Sequence, residues 1–478
     1  MRIPKIAGSW YPSDAASMRA NIDAWSTKLP HIAALFVPHA GHFFSGDIAC
    51  RAYSRVDASR YNKVIILCPA HRVYMHETFS VEPAGEVATP LGNVKFSEEL
   101  NARLRALPFA SYVPQAHPDE HAIDIHLPFI REFFPHCELG AMIVGNFDAV
   151  GAAAVQKLAT FGREFRKILD DKTLVVISTD FTHYGNNYGY IPFVNDKMTR
   201  LKKLDTDMFL AFASNSNLAF SRALNKTRAT VCGASCMHLL LATLPPNAKF
   251  TRIEWANSSA KNGDLQNNVG YASGYVEASW SDPLKDFTSE VVPAFAELSQ
   301  EAGKALVELA RHSLKVAVLG EAYAGEWDAS ESVLNELLQH RGAFVTINKN
   351  GHLRGCIGEI LPSRPLVRVV AERAVNSALN DQRFTPVTPD EVEFLSFDVS
   401  VLTPPKRVSG YGEVVLGRDG IILEFGGRSA VFLPQVAPEN GWNLETTLTQ
   451  LSLKAGLSAN AWQENGAVFH TFCAQVFK

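Results

Sequence analysis

The residues best placed to do chemistry in this chain sit at the ends of apolar runs. The stretch 172–184, KTLVVISTDFTHY, begins with Leu174, Val175, Val176 and Ile177, the length and composition of a strand buried on both faces, then breaks into Ser178, Thr179 and Asp180 and reaches His183. An Asp-x-x-His at the carboxyl end of such a strand sets two side chains capable of metal ligation or proton transfer where open α/β sheets bind their ligands. Two further stretches share the plan. AALFVPHAGH (33–42) closes an apolar run with Pro38 and then supplies His39 and His42, and KVIILCPAH (63–71) closes one with Pro69 and supplies His71. One histidine after a strand is ordinarily a loop or core residue, whereas three runs that each deliver histidine at the same end point to a shared site.

Cysteine usage adds a candidate. Seven cysteines, an odd number with no CxxC pair, make neither a disulfide framework nor a structural zinc site, so most are expected to be reduced and buried. Cys232 differs: in TVCGASCMHLLLATLP it precedes an apolar, helix-like run, which places its sulfur at a helix N-terminus, where a thiolate is favoured. If His39, His71 and Cys232 converge, two imidazoles and a thiolate suit iron, copper or zinc and not magnesium or calcium, and three protein ligands leave an open position, as in catalytic sites. Asp180 and His183 would then be a fourth ligand, or a pair that orients ligands and moves protons. The competing reading is a buried polar network beneath a loop surface. Histidine distribution assigns the metal chemistry to the first part of the chain, because only His312, His340, His352 and His470 of the fifteen follow residue 280.

The elements that must position these groups alternate. Amphipathic segments at Ala15 to Trp25, with Asp14 as cap, and at Ala152 to Leu169 read as helices between apolar strands, which implies crossover units around a mainly parallel sheet in a three-layer α/β domain. PDEHAIDIHLPFIREFF (118–134) reads as a helix capped by Asp119 and kinked or restarted at Pro128. His121 is its candidate to face the site as an acid or base; His126, five residues on, points in another direction.

At 478 residues the chain exceeds one ordinary core, and two unequal domains are expected, 1–280 and 292–478, joined by the proline-containing, aperiodic stretch 280–292. A net charge of -4 argues against nucleic-acid binding, and no apolar run approaches the roughly 20 residues that span a bilayer, so a cytoplasmic protein is expected. The second part has helical segments at Leu298 to Leu314, Pro365 to Asn380 and Leu444 to Ala455. Turn pairs Asn350-Gly351, Asp419-Gly420 and Gly426-Gly427 suit tight antiparallel connections, and the whole is a smaller α+β domain. Its HLRGCIG and NDQRF segments bring Arg354, Cys356, Asp381 and Arg383 into consideration as a second site, a reactive thiol near arginine, against the plainer reading of Cys356 as a small buried hydrophobe. Walker loops, the dinucleotide-binding glycine fingerprint, GxSxG and HExxH are all absent from the sequence.

The motifs AGSWYP, VPHAGHFFSGDIA, CPAHRV, TPLGNV, DEHAIDIHLPF, STDFTHYG, TVCGA and YASGYV, over about residues 5 to 277, closely resemble the Memo family. The resemblance implies a fold like that of class III extradiol non-haem iron dioxygenases. It also implies a metal site of two histidines and a cysteine, here His39, His71 and Cys232, with Asp180 and His183 in the same pocket. His42 departs from the family pattern, which has tyrosine there, and would add a titratable group beside the metal. GHLRGCIG, NSALNDQRFTPVTPDEV, LTPPKRV, GRDGIIL and FLPQVAPENGWNLETTLTQLSLKAGL resemble the AMMECR domain over about 292 to 474. The fusion is similar to the AmmeMemoRadiSam systems, which implies a radical-SAM protein as partner. The readings that follow are a metal-dependent redox enzyme acting on a small molecule, with iron ahead of copper or zinc; a binding protein that handles metal or docks a peptide; and a metal-assisted hydrolase.

Overall fold

The computed structural model describes residues 2–20, 29–83, 85–286, 295–319, 329–362 and 364–478, and the chain divides into two units, Met1–Val291 and Val292–Lys478. In the first unit the strands are β1 (Ala34–Val37), β2 (Lys63–Pro69), β3 (Phe79–Val81), β4 (Gly85–Val87), β5 (Val94–Phe96), β6 (Glu138–Val144), β7 (Thr173–Ser178), β8 (His183–Tyr184), β9 (Lys249–Asn257) and β10 (Asn268–Glu277). They form one sheet of order β4-β5-β6-β2-β7-β1-β10-β8, with β3 on β6 and β9 on β10. Neighbours from β5 to β1 run parallel, and the remaining pairs are antiparallel.

Every residue of β1, β2 and β7 is buried, because each strand alternates apolar side chains between two separate cores. Phe36, Ile65, Leu67, Val175 and Ile177 face one core with Leu158, Phe161 and Phe165 of the helix Ala152–Arg166, Phe212 of Lys197–Ala213, and Leu239, Leu240 and Leu241 of Ala234–Leu241. Leu35, Val37, Val64, Ile66, Leu174 and Val176 face the other, with Ala49 and Tyr53 of His42–Tyr53 and Leu127 and Ile130 of Leu127–Phe133. The result is three layers, helix, sheet and helix, as the alternation of the sequence implied.

Local differences have local causes. The 118–134 segment forms two short helices, His121–Asp124 and Leu127–Phe133, the second started by Pro128 in its first turn. Glu120, not Asp119, caps the first: its carboxylate accepts from Ala122 N at 3.0 Å, while Asp119 pairs with Lys5. Asp14 does accept from Ser17 N at 2.8 Å, and the helix it precedes is described over Ala15–Ala20; its expected continuation to Trp25 lies outside the described residues. Trp280, read as the start of the linker, belongs to the first unit: it is 5% exposed in the first core, and its indole N–H donates to Thr173 O at 3.0 Å. Part of the expected linker, 287–292, lies outside the described residues.

In the second unit, β11 (Ala343–Lys349), β12 (His352–Glu359), β13 (Leu395–Leu402), β14 (Lys406–Val408), β15 (Gly420–Phe425), β16 (Arg428–Phe432), β17 (Val468–Phe472) and β18 (Ala474–Phe477) form two antiparallel sheets, β12-β11-β13-β18 and β14-β17-β15-β16. The helices Gln300–Leu319 and Leu366–Leu379 pack together and against the first sheet, and Leu444–Lys454 packs on the second through Leu448 and Leu451. Asn350-Gly351 and Gly426-Gly427 are two-residue hairpin turns with both residues at positive φ. Asp419-Gly420 is not a hairpin turn. Gly420 opens β15, where a Cβ would lie 2.3 Å from the Phe472 ring, and the Asp419 carboxylate instead accepts from Val415 N at 2.8 Å.

Candidate metal centre

β7 lies between β2 and β1, and all three run parallel, so their carboxyl ends open at one edge of the sheet. Two residues beyond each strand come His39, His71 and Asp180. The fourth piece arrives from sequence far downstream. Gly233, the cap of the helix Ala234–Leu241, lies so close to β7 that a Cβ on it would sit 2.4 Å from Thr179 Cβ; only glycine lets the chain approach there. That approach brings Cys232 Sγ to 3.2 Å from His39 Nε2 and within 3.1 Å of the Asp180 amide, which donates to it. One ligand atom from each of His39, His71 and Cys232 lies within 4.8 Å of the others.

The far side of each imidazole is held. His71 Nδ1 lies 2.9 Å from Glu120 Oε1, and because a carboxylate only accepts, that nitrogen carries the proton and Nε2 is left as a donor pair for a metal. Glu120 Oε2 also accepts from His71 N at 2.8 Å. His183 Nδ1 lies 3.0 Å from the carbonyls of both Phe181 and Thr230, which fixes its proton in the same way and leaves Nε2 able to accept one. His39 Nδ1 is 2.7 Å from Ser178 Oγ, and His39 N donates to Asp180 Oδ1 at 2.9 Å.

Burial governs the charges. It is the main cause lowering the pKa of His39 well below the ordinary histidine value, with His71 adding to the effect, and it takes His121 down to about 4. Burial also raises Asp180, against the pull of His183. Cys232 is pushed well above the usual thiol range, first by burial and then by the Asp180 charge, with the Asp180 amide working the other way. The expectation of a thiolate at a helix N-terminus is therefore corrected: Cys232 precedes the helix cap, and desolvation outweighs the helix end. A bound cation reverses that balance, because a coordinating thiol is deprotonated. Glu120 is different. Burial opposes its charge, but the hydrogen bonds and charge of His71 prevail and hold it below the ordinary glutamate value.

A cavity of about 440 Å³ opens over these groups, lined by His39, His71, His121, Asp180 and His183 and walled by aromatic rings including Trp10, Phe44 and Tyr271. Among the described residues, no lysine or arginine lines it. The donor set fits a transition metal: two imidazoles, a thiol that needs a cation to ionise and, among the described residues, no competing basic side chain in the lining. His121 packs on His71 with ring centroids 4.7 Å apart and 4.4 Å from Trp10. His71, Glu120 and His121 also lie close enough to hold an ion, but the Glu120 oxygens are occupied by three N–H groups, which suits an orienting carboxylate better than a second ligand set. His42, expected beside the metal, turns away. Its Nε2 lies 2.9 Å from Ile125 O and its ring stacks on Phe129, so it lines a neighbouring cavity.

Glu120, Ser178, Trp10 and Tyr271 are site residues without a role assigned from sequence. The adjacency of Glu120 to His121 in DEH was the available signal for one of them, and nothing in the spacing pointed to the rest. Ser80, His117 and Glu82 form another histidine chain, with Oγ–Nε2 at 2.7 Å and Nδ1–Oε2 at 2.8 Å. Its order is that of a hydrolytic triad. Ser80, however, is fully buried in β3 and accepts from Val113 N at 3.0 Å, so the hydroxyl ties the 113–117 segment to the sheet and meets no substrate.

In the second unit Asp381 and Arg383 do gather at Cys356, through its backbone: Asp381 Oδ2 accepts from Cys356 N at 2.8 Å, and Arg383 donates to Cys356 O at 3.1 Å. Arg354 does not join them. Its guanidinium pairs with Glu391 and caps the carbonyls of Thr385 and Pro386. The half-buried Cys356 thiol is raised above its usual pKa, chiefly by burial, with the Thr346 hydroxyl and Arg383 pulling it down. The geometry is that of a strand backbone in β12 held by an aspartate, not of an activated thiol.

The fold and site define a two-domain α/β protein with a histidine and cysteine donor set at the carboxyl edge of a parallel sheet. The model of the Memo-like protein family matches residues 2–275, more than half of the chain, and the chain belongs to that family; the AMMECR1 family model matches residues 307–477. Similar curated proteins include one from Methanothermobacter thermautotrophicus, 37% identical over 189 residues (38% of this chain and 97% of that protein), and Protein TK0174 of Thermococcus kodakarensis, 38% identical over 191 residues (38% and 92%). Among solved structures, the uncharacterized protein PH0010 of Pyrococcus horikoshii is 36% identical, with 37% of this chain and 92% of that one covered at a TM-score of 0.35.

Proposed function

We propose that the first domain is a transition-metal redox centre that holds iron, ahead of copper or zinc, through His39 Nε2, His71 Nε2 and Cys232 Sγ, and acts on a small molecule or docks a peptide side chain. One observation carries the reading: three donors from separate parts of the chain meet within 4.8 Å, and the two imidazoles have their other nitrogens tied back. When bound, iron supplies one-electron redox chemistry and an open coordination position. The chain supplies the rest. His183, its Nδ1 proton fixed on carbonyls, takes a proton at Nε2; Asp180 holds the His39 amide and faces the same cavity; His121, neutral on the His71 ring, closes one side. Trp10, Phe44, Val269 and Tyr271 exclude water and favour an uncharged, flat ligand, since no lysine or arginine is present to pair an anion. Extradiol dioxygenases, which the family resemblance brings to this proposal, use two histidines and a carboxylate. A sulfur donor in place of their carboxylate changes the electronics of the metal, so ring cleavage is not assigned. As part of the same proposal, a radical-SAM protein is its working partner in a cytoplasmic setting, a reading that rests on the resemblance of the fused domains alone; no described helix is long and apolar enough to cross a membrane.

The test is anaerobic purification, determination of bound metal, and measurement of oxygen uptake on addition of iron and a reductant. Stoichiometric iron and metal-dependent uptake that both vanish in His71→Ala support the proposal. Failure of the protein to hold any transition metal overturns it. Tight metal with no turnover across a substrate panel selects the metal-handling and docking reading, which the exposed Phe43 and Tyr188 at the cavity favour.

A further inference from the structure

The hydroxyl of Ser178 has three neighbours, and their chemistry determines where its one proton goes. Ser178 Oγ lies 3.0 Å from Ala122 O, 2.7 Å from His39 Nδ1 and 2.9 Å from His126 Nε2. A carbonyl only accepts, whereas either ring nitrogen can be donor or acceptor. The amide of His126, which would reach Ala122 in a continuing helix, bonds Ile123 O at 3.0 Å instead, so the hydroxyl is positioned to serve the Ala122 carbonyl. With its proton on Ala122 O, the serine oxygen presents only lone pairs to the two rings, and both must donate to it.

We propose that Ser178 locks the tautomer of His39, and that His126 is a positioning residue that holds the lock. His39 is thereby protonated on Nδ1 and keeps an unprotonated Nε2 aimed at Cys232 and the metal position. The alternative orientation, in which the hydroxyl donates to His39, moves the imidazole proton to Nε2, 3.2 Å from Cys232 Sγ, and blocks the ligand. The N–H of His126 takes a lone pair of the same oxygen, so the hydroxyl proton cannot point at His126 and is left to the Ala122 carbonyl, which lacks its helical donor. A second observation supports the assignment. His126 is fully buried, and its Nδ1 has no hydrogen-bond partner among the described residues, so a proton on Nε2, where Ser178 Oγ can accept it, avoids burying an unpaired N–H beside Tyr53. A phenylalanine would fill the same space with no orphaned nitrogen. His126 neither lines the cavity nor reaches the metal position, so it acts through Ser178 alone.

The inference rests on the metal reading for its purpose, but the lock can be examined without metal. The full chain is labelled with ¹⁵N-histidine and kept metal-free, and the ring nitrogens are read by long-range ¹H–¹⁵N correlation, with His39→Gln and His126→Gln used for assignment. The lock requires His39 as Nδ1–H and His126 as Nε2–H in the unsubstituted protein. In Ser178→Ala, His39 should become a mixture of tautomers, and affinity for Zn(II), a redox-silent probe, should fall about 10- to 100-fold. His126→Phe should weaken Zn(II) by a smaller factor, and His126→Gln, whose amide N–H can take the place of Nε2–H, should restore most of it. His39 found as Nε2–H in the unsubstituted protein overturns the lock, as does a Ser178→Ala protein with unchanged tautomer and unchanged affinity. If Ser178→Ala fails to fold, the tautomers of the unsubstituted protein decide the question. If those tautomers are as required but the protein binds neither Zn(II) nor Fe(II), the metal reading fails and the lock stands.

Discussion

Removing the carboxylate behind His71 separates orientation of a ligand from the ligand itself. Glu120 accepts three hydrogen bonds: Oε1 from His71 Nδ1 at 2.9 Å and Ala122 N at 3.0 Å, and Oε2 from His71 N at 2.8 Å. In Glu120→Gln the amide oxygen can keep either the first two or the third. Keeping two, it turns its NH₂ toward the amide of the exposed His71 and loses that one part-buried bond, a cost of about 0.5–1.5 kcal/mol in folding stability. The ring remains oriented, by a neutral acceptor, so metal affinity should fall only a few-fold. Glu120→Ala loses all three bonds and the helix cap, frees the His71 ring, and should cost roughly 10- to 100-fold in affinity, the range typical of partners that orient metal ligands. Competition titration of Zn(II) against a chelator, with denaturant unfolding of the same samples, measures both quantities. A Glu120→Ala protein that bound zinc as tightly as the unsubstituted protein, or a Gln variant weaker than the Ala variant, would refute the assignment of Glu120 as the orienting group.

Cys232→Ala should abolish tight metal binding and leave the far-ultraviolet circular dichroism unchanged, because the residue ends a loop and lies outside both sheet cores. Since burial keeps that thiol protonated, metal must displace its proton, and Zn(II) affinity should rise about tenfold per pH unit between pH 7 and 8, a slope that disappears in the alanine variant. Gly233→Ala, whose Cβ would collide with Thr179, should destabilise the first domain and weaken metal binding together, as read by unfolding and chelator competition. In the second domain, Glu391 is held below the ordinary glutamate range mainly by its hydrogen bond to Arg354. Its folded-state pKa is depressed, so its stabilisation is present above the unfolded glutamate value of about 4.3 and is lost as pH falls through the folded value. Glu391→Gln should lower stability at pH 7 by about 1–3 kcal/mol and flatten the acid limb of an unfolding profile.

The gathering of His39, His71 and Asp180 at one sheet edge was legible because parallel strands buried on both faces are continuous apolar runs, and their ends are marked by Pro38, Pro69 and Ser178. What those runs could not show was their order. Placing β7 between β2 and β1 is a tertiary fact that no periodicity records, and it is what sets His39 and His71 on either side of Asp180. Side-chain direction was also hidden: His42 follows His39 by one helical turn, yet the helix it begins carries it toward Ile125 and Phe129. Asp119 and Glu120 are adjacent acidic residues before a helix, and the choice between them as cap turns on which one His71 needs, a contact from a strand 49 residues away in sequence. In the second domain Asn350-Gly351 and Asp419-Gly420 look alike as dipeptides. Packing against Phe472 separates them, and it makes the second the beginning of a strand.

The central position of β7 has a consequence for the order in which the molecule is made. Both histidines leave the ribosome early, on strands that cannot be neighbours until β7 has been synthesised and inserted between them, and the cysteine follows later still, at 232. A nascent chain that has not yet reached residue 232 therefore has no complete donor set to offer free metal. Closing the parallel sheet is a long-range event of the slow kind, and on the proposed reading metal capture would wait for β7 to take its place between β2 and β1.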